Sequence, residues 1–154
     1  MKKTIQNLLF GLFLFLIGGV FSVAKALEPL TFSDKVSPAV LASLHGYLEE
    51  ASSDYLFASV DLNDDGLDEV VSVAKSCKAQ TPKRCNYTVF GRGDSNAHIL
   101  LQVEAWNMSV ADHSFSGVRQ LMIFKSRNNQ FKPSPYTWNA LKSRYTEDEG
   151  DEQT

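Results

Sequence analysis

The spacing of apolar residues divides the chain beyond residue 27 into one helical segment and a series of short strands. Ser37 and Pro38 fit an N-cap and a first helical position, because proline needs no hydrogen-bond donor there. Apolar residues then recur at intervals of three and four, as in an amphipathic helix, at Val40, Leu41, Leu44, Tyr47 and Leu48. The spacing therefore predicts a helix over residues 38–51.

From residue 55 the apolar period changes from the helical value to two. Leu56, Ala58 and Val60 alternate with more polar positions, which is typical of a strand with one face on the core. Further strands are predicted at 69–75, 87–90, 99–103, 108–111 and 118–125, with a last strand or short hairpin over 136–145. We therefore predict an α+β fold, in which one N-terminal helix packs on an antiparallel meander of six or seven short strands.

The first 26 residues have the composition of a secretory signal peptide. A basic start at Lys2 and Lys3 precedes an apolar run over residues 8–24, and Ala24 and Ala26 fit a small-x-small cleavage site. An uncleaved membrane anchor is the alternative, because the run is close to the minimum length for a spanning helix. We predict cleavage, no membrane span after it, and a periplasmic or secreted protein.

Charge limits the classes of partner. Removal of the leader would take three lysines and leave 12 basic residues against 18 acidic ones. Five of these acids crowd into the C-terminal end, so we predict a single globular domain over 27–145 and a disordered acidic tail over 146–154. The remaining domain is nearly neutral and has no basic stripe, which argues against nucleic acid as a partner.

Cys77 and Cys85 are the two cysteines of the chain. Export would place them where disulfides persist, and a bridge between them would close a short loop. A metal-binding or redox pair is the alternative, but the spacing is not C-x-x-C and no histidine is nearby. We predict a structural disulfide.

The segment 61–69 has the most specific chemistry of the chain. It reads Asp-Leu-Asn-Asp-Asp-Gly-Leu-Asp-Glu, and its oxygen-bearing side chains surround a sharp turn at Gly66. Carboxylate, amide and carbonyl oxygens are the ligands of Ca²⁺. A metal-free hairpin turn is the alternative, because Asn, Asp and Gly also favour tight turns. The predicted ligands are Asp61, Asn63, Asp65, Glu69 and the backbone carbonyl of Leu67.

This segment does not fit the EF-hand, because its twelfth position would be Ser72 and strands rather than helices flank the loop. Two other known patterns are similar to it. D-x-N-x-D-G-x-x-E between strands resembles the calcium loops of integrin-type FG-GAP and VCBS repeats. It is also similar to a strand–DLNGDGxxE–strand hairpin, followed by a cysteine pair, in small exported bacterial domains. The resemblance implies a surface loop that often binds calcium in a structural role, although Asp64 replaces the commoner glycine.

Three functions are compatible with this sequence. The absence of a catalytic constellation favours a non-enzymatic domain that binds a protein partner in the cell envelope. An inhibitor or immunity-type protein is the first alternative, and it would block an enzyme through a protruding loop at 92–96 or 112–117. The second alternative is a hydrolase that uses the acidic loop as a metal site, but no histidine is placed to act as its base.

Overall fold

The computed structural model describes residues 27–48, 52–79, 83–92, 96–126 and 132–148. These residues form nine strands, two short helices and one 3₁₀ turn. The strands are β1 Leu27–Pro29, β2 Tyr55–Val60, β3 Glu69–Ala74, β4 Cys85–Arg92, β5 Ala97–Ala105, β6 Asn107–Phe115, β7 Val118–Phe124, β8 Ser134–Asn139 and β9 Arg144–Glu147. The helices are α1 Pro38–Leu44 and α2 Lys75–Lys78, and the 3₁₀ turn is Ser52–Asp54.

The strands form two antiparallel sheets. One has four strands in the order β2-β3-β4-β5, and the other has five in the order β1-β6-β7-β8-β9. The chain crosses from the first sheet to the second at Trp106, the one residue between β5 and β6. The strand β6 then pairs with β7, and its other neighbour is the short β1 from the start of the described chain.

The main core lies between the two sheets. Val71 and Val89 of the four-stranded sheet and Val110, Leu121 and Ile123 of the five-stranded sheet are completely buried in one cluster. Successive residues of a strand point to opposite faces, so this core takes alternate positions from each strand. The period of two in the sequence reflects this packing.

A smaller cluster covers the other face of the four-stranded sheet. Val40 and Leu44 of α1 pack there with Phe57, Val70 and Phe90. Because both of its faces are covered, β3 is buried at five of its six positions. This explains why its sequence is a nearly continuous apolar run rather than an alternation.

The predicted α+β fold is wrong. The described chain is mostly β, and its strands divide between two sheets instead of forming one meander with a helix on it. The predicted helix over 38–51 is also too long, since α1 ends at Leu44 and is capped by His45. The alternation of apolar and polar residues indicates that a strand has one buried face, but it does not indicate which sheet the strand joins.

Several predictions about the ends of the chain fall partly or wholly outside the described residues. The predicted signal peptide over 1–26 and the last part of the predicted tail, 149–154, lie there. The first two residues of the predicted tail, Thr146 and Glu147, belong to β9. No helix of the described residues is long and apolar enough to cross a membrane.

The predicted disulfide between Cys77 and Cys85 is confirmed. It joins the single turn α2 to the first residue of β4. Replacing both cysteines with serine should lower the free energy of unfolding by about 2–3 kcal/mol, because the open loop has more unfolded conformations. Urea unfolding of the two proteins measures the difference, and an unchanged midpoint would contradict the stabilising role.

A charged pair joins the end of β9 to the chain just after β7. The Nζ atom of Lys125 donates to Glu147, and the Tyr136 hydroxyl donates to the same carboxylate oxygen over 3.3 Å. The hydrogen bond from Lys125 holds the pKa of Glu147 below its ordinary value. Strand β9 is thereby tied to β7 across β8.

This pair predicts a small loss of stability in acid. A carboxyl whose pKa is lowered by folding stabilises the protein above its unfolded pKa, and that contribution disappears as the pH falls through the folded value. Both side chains are more than a third exposed, so we expect only about 0.2–1 kcal/mol, lost below about pH 5. Unfolding of wild type and of Lys125→Met at several pH values checks this. The variant should lose less stability in acid, and parallel losses would contradict the assignment.

Candidate functional site

Four hairpins meet at one end of the two sheets. In a meander, alternate connections lie at the same end, so the strand ends that flank the β2–β3, β4–β5, β6–β7 and β8–β9 connections are neighbours. Residues 93–95, which belong to the β4–β5 connection and to the loop predicted at 92–96, lie outside the described residues. Between the sheets at this end is a cavity of about 180 Å³. Its lining includes residues from all four hairpins: Leu62, Asn63, Glu69, Gly91, Arg92, His98, Leu100, Val118, Trp138 and Tyr145. We call this region the hairpin end.

The acidic loop connects β2 to β3 and forms one side of the hairpin end. Two of its residues, Asp64 (φ 56°) and Gly66 (φ 81°), have left-handed backbone conformations. Glycine accepts such a φ at no steric cost, and aspartate tolerates it better than most residues. These two positions give the sharp reversal that the sequence predicted at Gly66.

Three of the predicted ligand side chains are drawn together inside this reversal. Asp61 accepts hydrogen bonds from the backbone N–H groups of Asn63 (3.3 Å) and Gly66 (2.9 Å). The Asn63 amide donates to Asp65 Oδ2 over 2.9 Å, and its oxygen accepts from the Asp65 N–H over 3.1 Å. Asp65 Oδ1 also accepts from the Leu67 N–H over 2.7 Å. The loop is thus folded around its own oxygen atoms.

The fifth predicted ligand, Glu69, is placed differently. It is the first residue of β3, and only 6% of its surface is exposed. Its Oε2 atom accepts a 2.8 Å hydrogen bond from the buried Leu62 N–H, and its side chain lines the cavity. Glu69 therefore closes the base of the loop from the inside and belongs to the cavity wall.

The side-chain oxygen atoms by which Asp61, Asn63 and Asp65 could bind a metal ion fit the chemistry of calcium. All are oxygens, and a carboxylate oxygen that accepts one hydrogen bond keeps a second lone pair. The Leu67 carbonyl would be the further ligand from the chain, as predicted. Among the described residues no three His, Cys, Asp or Glu side chains form a metal-binding group. The side chains that converge here are two aspartates and an asparagine.

Neighbouring carboxylates make the electrostatic potential at Glu69 more negative. Burial raises the pKa of Glu69 above its ordinary value, and the nearby carboxylates of Asp65 and Asp61 raise it further, against two backbone N–H groups that lower it. Burial also raises the pKa of the Tyr145 phenol, and the charge of Glu69 adds to that effect. A cation near Glu69 would be favoured by this field.

Aromatic and apolar side chains form the rest of the cavity wall. The rings of Trp138 and Tyr145, from β8 and β9, contact edge to face at 5.7 Å, and Tyr145 donates its hydroxyl hydrogen to the Arg119 carbonyl over 2.9 Å. His98 lies so close over Gly91 that a Cβ there would be 2.7 Å from its Cε1 atom. A side chain at position 91 would therefore displace the exposed ring of His98.

The three most exposed large apolar side chains of the described residues lie on hairpins that also contribute residues to the cavity lining. Leu67, Phe115 and Leu141 are 51%, 64% and 99% exposed. Each lies at the tip of a different hairpin: β2–β3, β6–β7 and β8–β9 respectively. The predicted loop at 112–117 is shorter than expected, because β6 continues to Phe115 and only Ser116 and Gly117 form the turn.

Sequence reasoning found the loop and missed the cavity. Neither His98 nor Trp138 belongs to a motif in the sequence that would assign it to a site. These two residues and Glu69 are far apart in the chain and meet only because the hairpins share one end. Comparison of the chain with protein-family models, curated proteins and solved structures finds no match.

Proposed function

We propose that this chain is an exported, non-enzymatic domain that binds a protein partner through its hairpin end. The observation that carries the proposal is the position of Leu67, Phe115 and Leu141, each at the tip of a hairpin that also contributes to the lining of the cavity. Exposed apolar side chains near a pocket are typical of protein-interaction surfaces. The disulfide supports a location in the periplasm or outside the cell, where such bonds persist.

Calcium has a structural part in this proposal. Asp61, Asn63, Asp65 and the Leu67 carbonyl would hold the ion and fix the acidic loop. Leu62 and Asn63, within or beside this ligand set, also line the cavity. Calcium would therefore stabilise the loop and one wall of the binding surface together, and we expect partner binding to strengthen when calcium is present.

Site-specific photocrosslinking in the native host tests the proposal. A photoreactive amino acid is placed in turn at Leu67, at Phe115 and, as a matched control, at Asn107. Asn107 is exposed and begins β6 at the opposite end of the sheets. We expect the same discrete protein adduct from the first two positions and none from the third. Equal labelling from all three, or no adduct at the hairpin end, would contradict the proposal.

An inhibitor or immunity-type protein is the second candidate, and the Phe115 tip favours it. A two-residue turn that presents a 64% exposed phenylalanine is a shape that could enter an enzyme's cleft. The crosslinked partner would then be an enzyme whose activity the protein lowers. Phe115→Ala should relieve that inhibition, whereas unchanged inhibition by the variant would eliminate this candidate.

A further inference from the structure

We infer that the cavity at the hairpin end receives a lysine side chain of the protein partner, with its ammonium group bound by the Glu69 carboxylate. The inference rests on the proposed function and adds the chemistry of recognition to it. Partner residues that fill a central pocket commonly supply most of the binding energy of an interface. The exposed apolar side chains at three of the hairpin tips would exclude water from the interface around such a contact.

The size and lining of the cavity select a single long side chain. At about 180 Å³ it is smaller than the roughly 300–1,000 Å³ of sites for drug-sized ligands. Leu62, Leu100 and Val118 provide apolar surface for a methylene stem. The carboxylate of Glu69, which is almost fully buried, provides a partner for a charged end. A lysine side chain has both parts in this order.

The charge distribution selects a cation. Glu69 lines the cavity, and the nearest carboxylates that act on it are Asp65 and Asp61 of the acidic loop. The basic residues of the lining, Arg92 and His98, come from the β4–β5 side and are half-buried and exposed. Both are more exposed than Glu69, which is 6% exposed. Among the charged residues of the lining, the buried one is therefore the acid Glu69.

The hydrogen bonding of Glu69 favours lysine over arginine. Its carboxylate already accepts from two backbone N–H groups, that of Leu62 through Oε2 and its own, so fewer lone pairs remain for a bidentate partner. A guanidinium binds best when both carboxylate oxygens are offered to it side by side, whereas an ammonium group acts as a single point charge. The rings of Trp138 and Tyr145 in the wall add an aromatic surface that attracts either cation.

NMR titration of the ¹⁵N-labelled protein with Nα-acetyl-lysine methylamide tests the inference. We expect saturable shifts of the Leu62 amide and the Trp138 indole N–H, with a dissociation constant on the order of 1 mM. The norleucine analogue has the same stem without the ammonium group, and it should bind about tenfold or more weakly. Equal binding of the two probes, or tighter binding of the arginine analogue, would overturn the assignment.

Two variants locate the binding group. Glu69→Gln keeps an oxygen that can accept from Leu62 but removes the charge, and it should weaken lysine binding about tenfold or more. Glu104→Gln is the matched control, because Glu104 is an exposed carboxylate near the other end of β5. It should leave lysine binding unchanged. If Glu69→Gln fails to fold, the comparison of the lysine and norleucine probes on the wild-type protein still shows whether the ammonium group is bound.

The lysine titration tests the further inference and the crosslinking tests the proposed function, so a negative result in one does not imply a negative result in the other. If the hairpin end crosslinks to a partner but the lysine probe does not bind, the inference is overturned and the proposed function stands. If the lysine probe binds but no protein adduct forms, the cavity takes amines and the protein-partner part of both proposals is overturned.

Discussion

Replacing Phe90 with alanine should lower the free energy of unfolding by about 3–5 kcal/mol, the range for deleting a buried aromatic side chain. Phe90 is 2% exposed on the face of β4 that packs with Val40 and Leu44 of α1. Its ring also lies 5.6 Å from that of Tyr47. Deletion would leave a cavity between the helix and the sheet that these neighbours can only partly fill. Chemical denaturation measures the loss.

Phe115→Ala is the matched control for this prediction. It makes the same substitution at a side chain that is 64% exposed at a hairpin tip, so stability should change by no more than about 0.5 kcal/mol. Similar losses in the two variants would mean that the outer face of the four-stranded sheet is not covered as described. The same Phe115 variant should reduce capture of the partner while remaining fully folded.

Calcium should raise the melting temperature of the wild-type protein. A ligand that binds only the folded state stabilises it by about 2.7 kcal/mol at 100 times its dissociation constant. For a domain of this size that corresponds to a shift on the order of 10 °C. Asp65→Ala should abolish the calcium-dependent shift, because it removes one of the predicted ligands. It also removes the hydrogen bonds that Asp65 accepts from the Asn63 amide and the Leu67 N–H. Differential scanning calorimetry with calcium and then with chelator measures it.

Asp68→Ala is the control for the metal prediction. Asp68 is an exposed acid of the same loop and is outside the predicted ligand set, so its variant should keep the full calcium shift. Magnesium chloride at the same ionic strength separates ion binding from general screening of the acidic loop. If wild type and both variants respond equally to calcium and magnesium, the loop is an ordinary hairpin turn.

The local features of the fold could be predicted from the sequence, and the long-range ones could not. The alternation at Leu56, Ala58 and Val60 indicated a strand because side chains of one face recur every second residue. The change of sheet at Trp106 has no comparable signal, since one residue between two apolar runs also fits a continuous strand. Strand β1 pairs with β6 across most of the chain, and its three residues are too few to carry a period.

The candidate site also has local features that could be predicted from the sequence and long-range features that could not. Asp61, Asn63 and Asp65 come together because the turn that joins them is encoded within five residues. The inward direction of Glu69 depends on its pairing with Val60 and on the Leu62 N–H that it satisfies, and neither can be derived from the acidic composition of the loop. The cavity requires all four hairpins, so it exists only once the sheets have formed.

We propose that the acidic loop and the cavity form one calcium-stabilised binding surface. The most direct test is a calcium titration of the ¹⁵N-labelled protein followed by NMR. We predict saturable shifts of the Gly66 and Leu67 amides together with the Trp138 indole N–H, all with one dissociation constant. Shifts that do not saturate, or that leave Trp138 unchanged while the loop responds, would contradict the account.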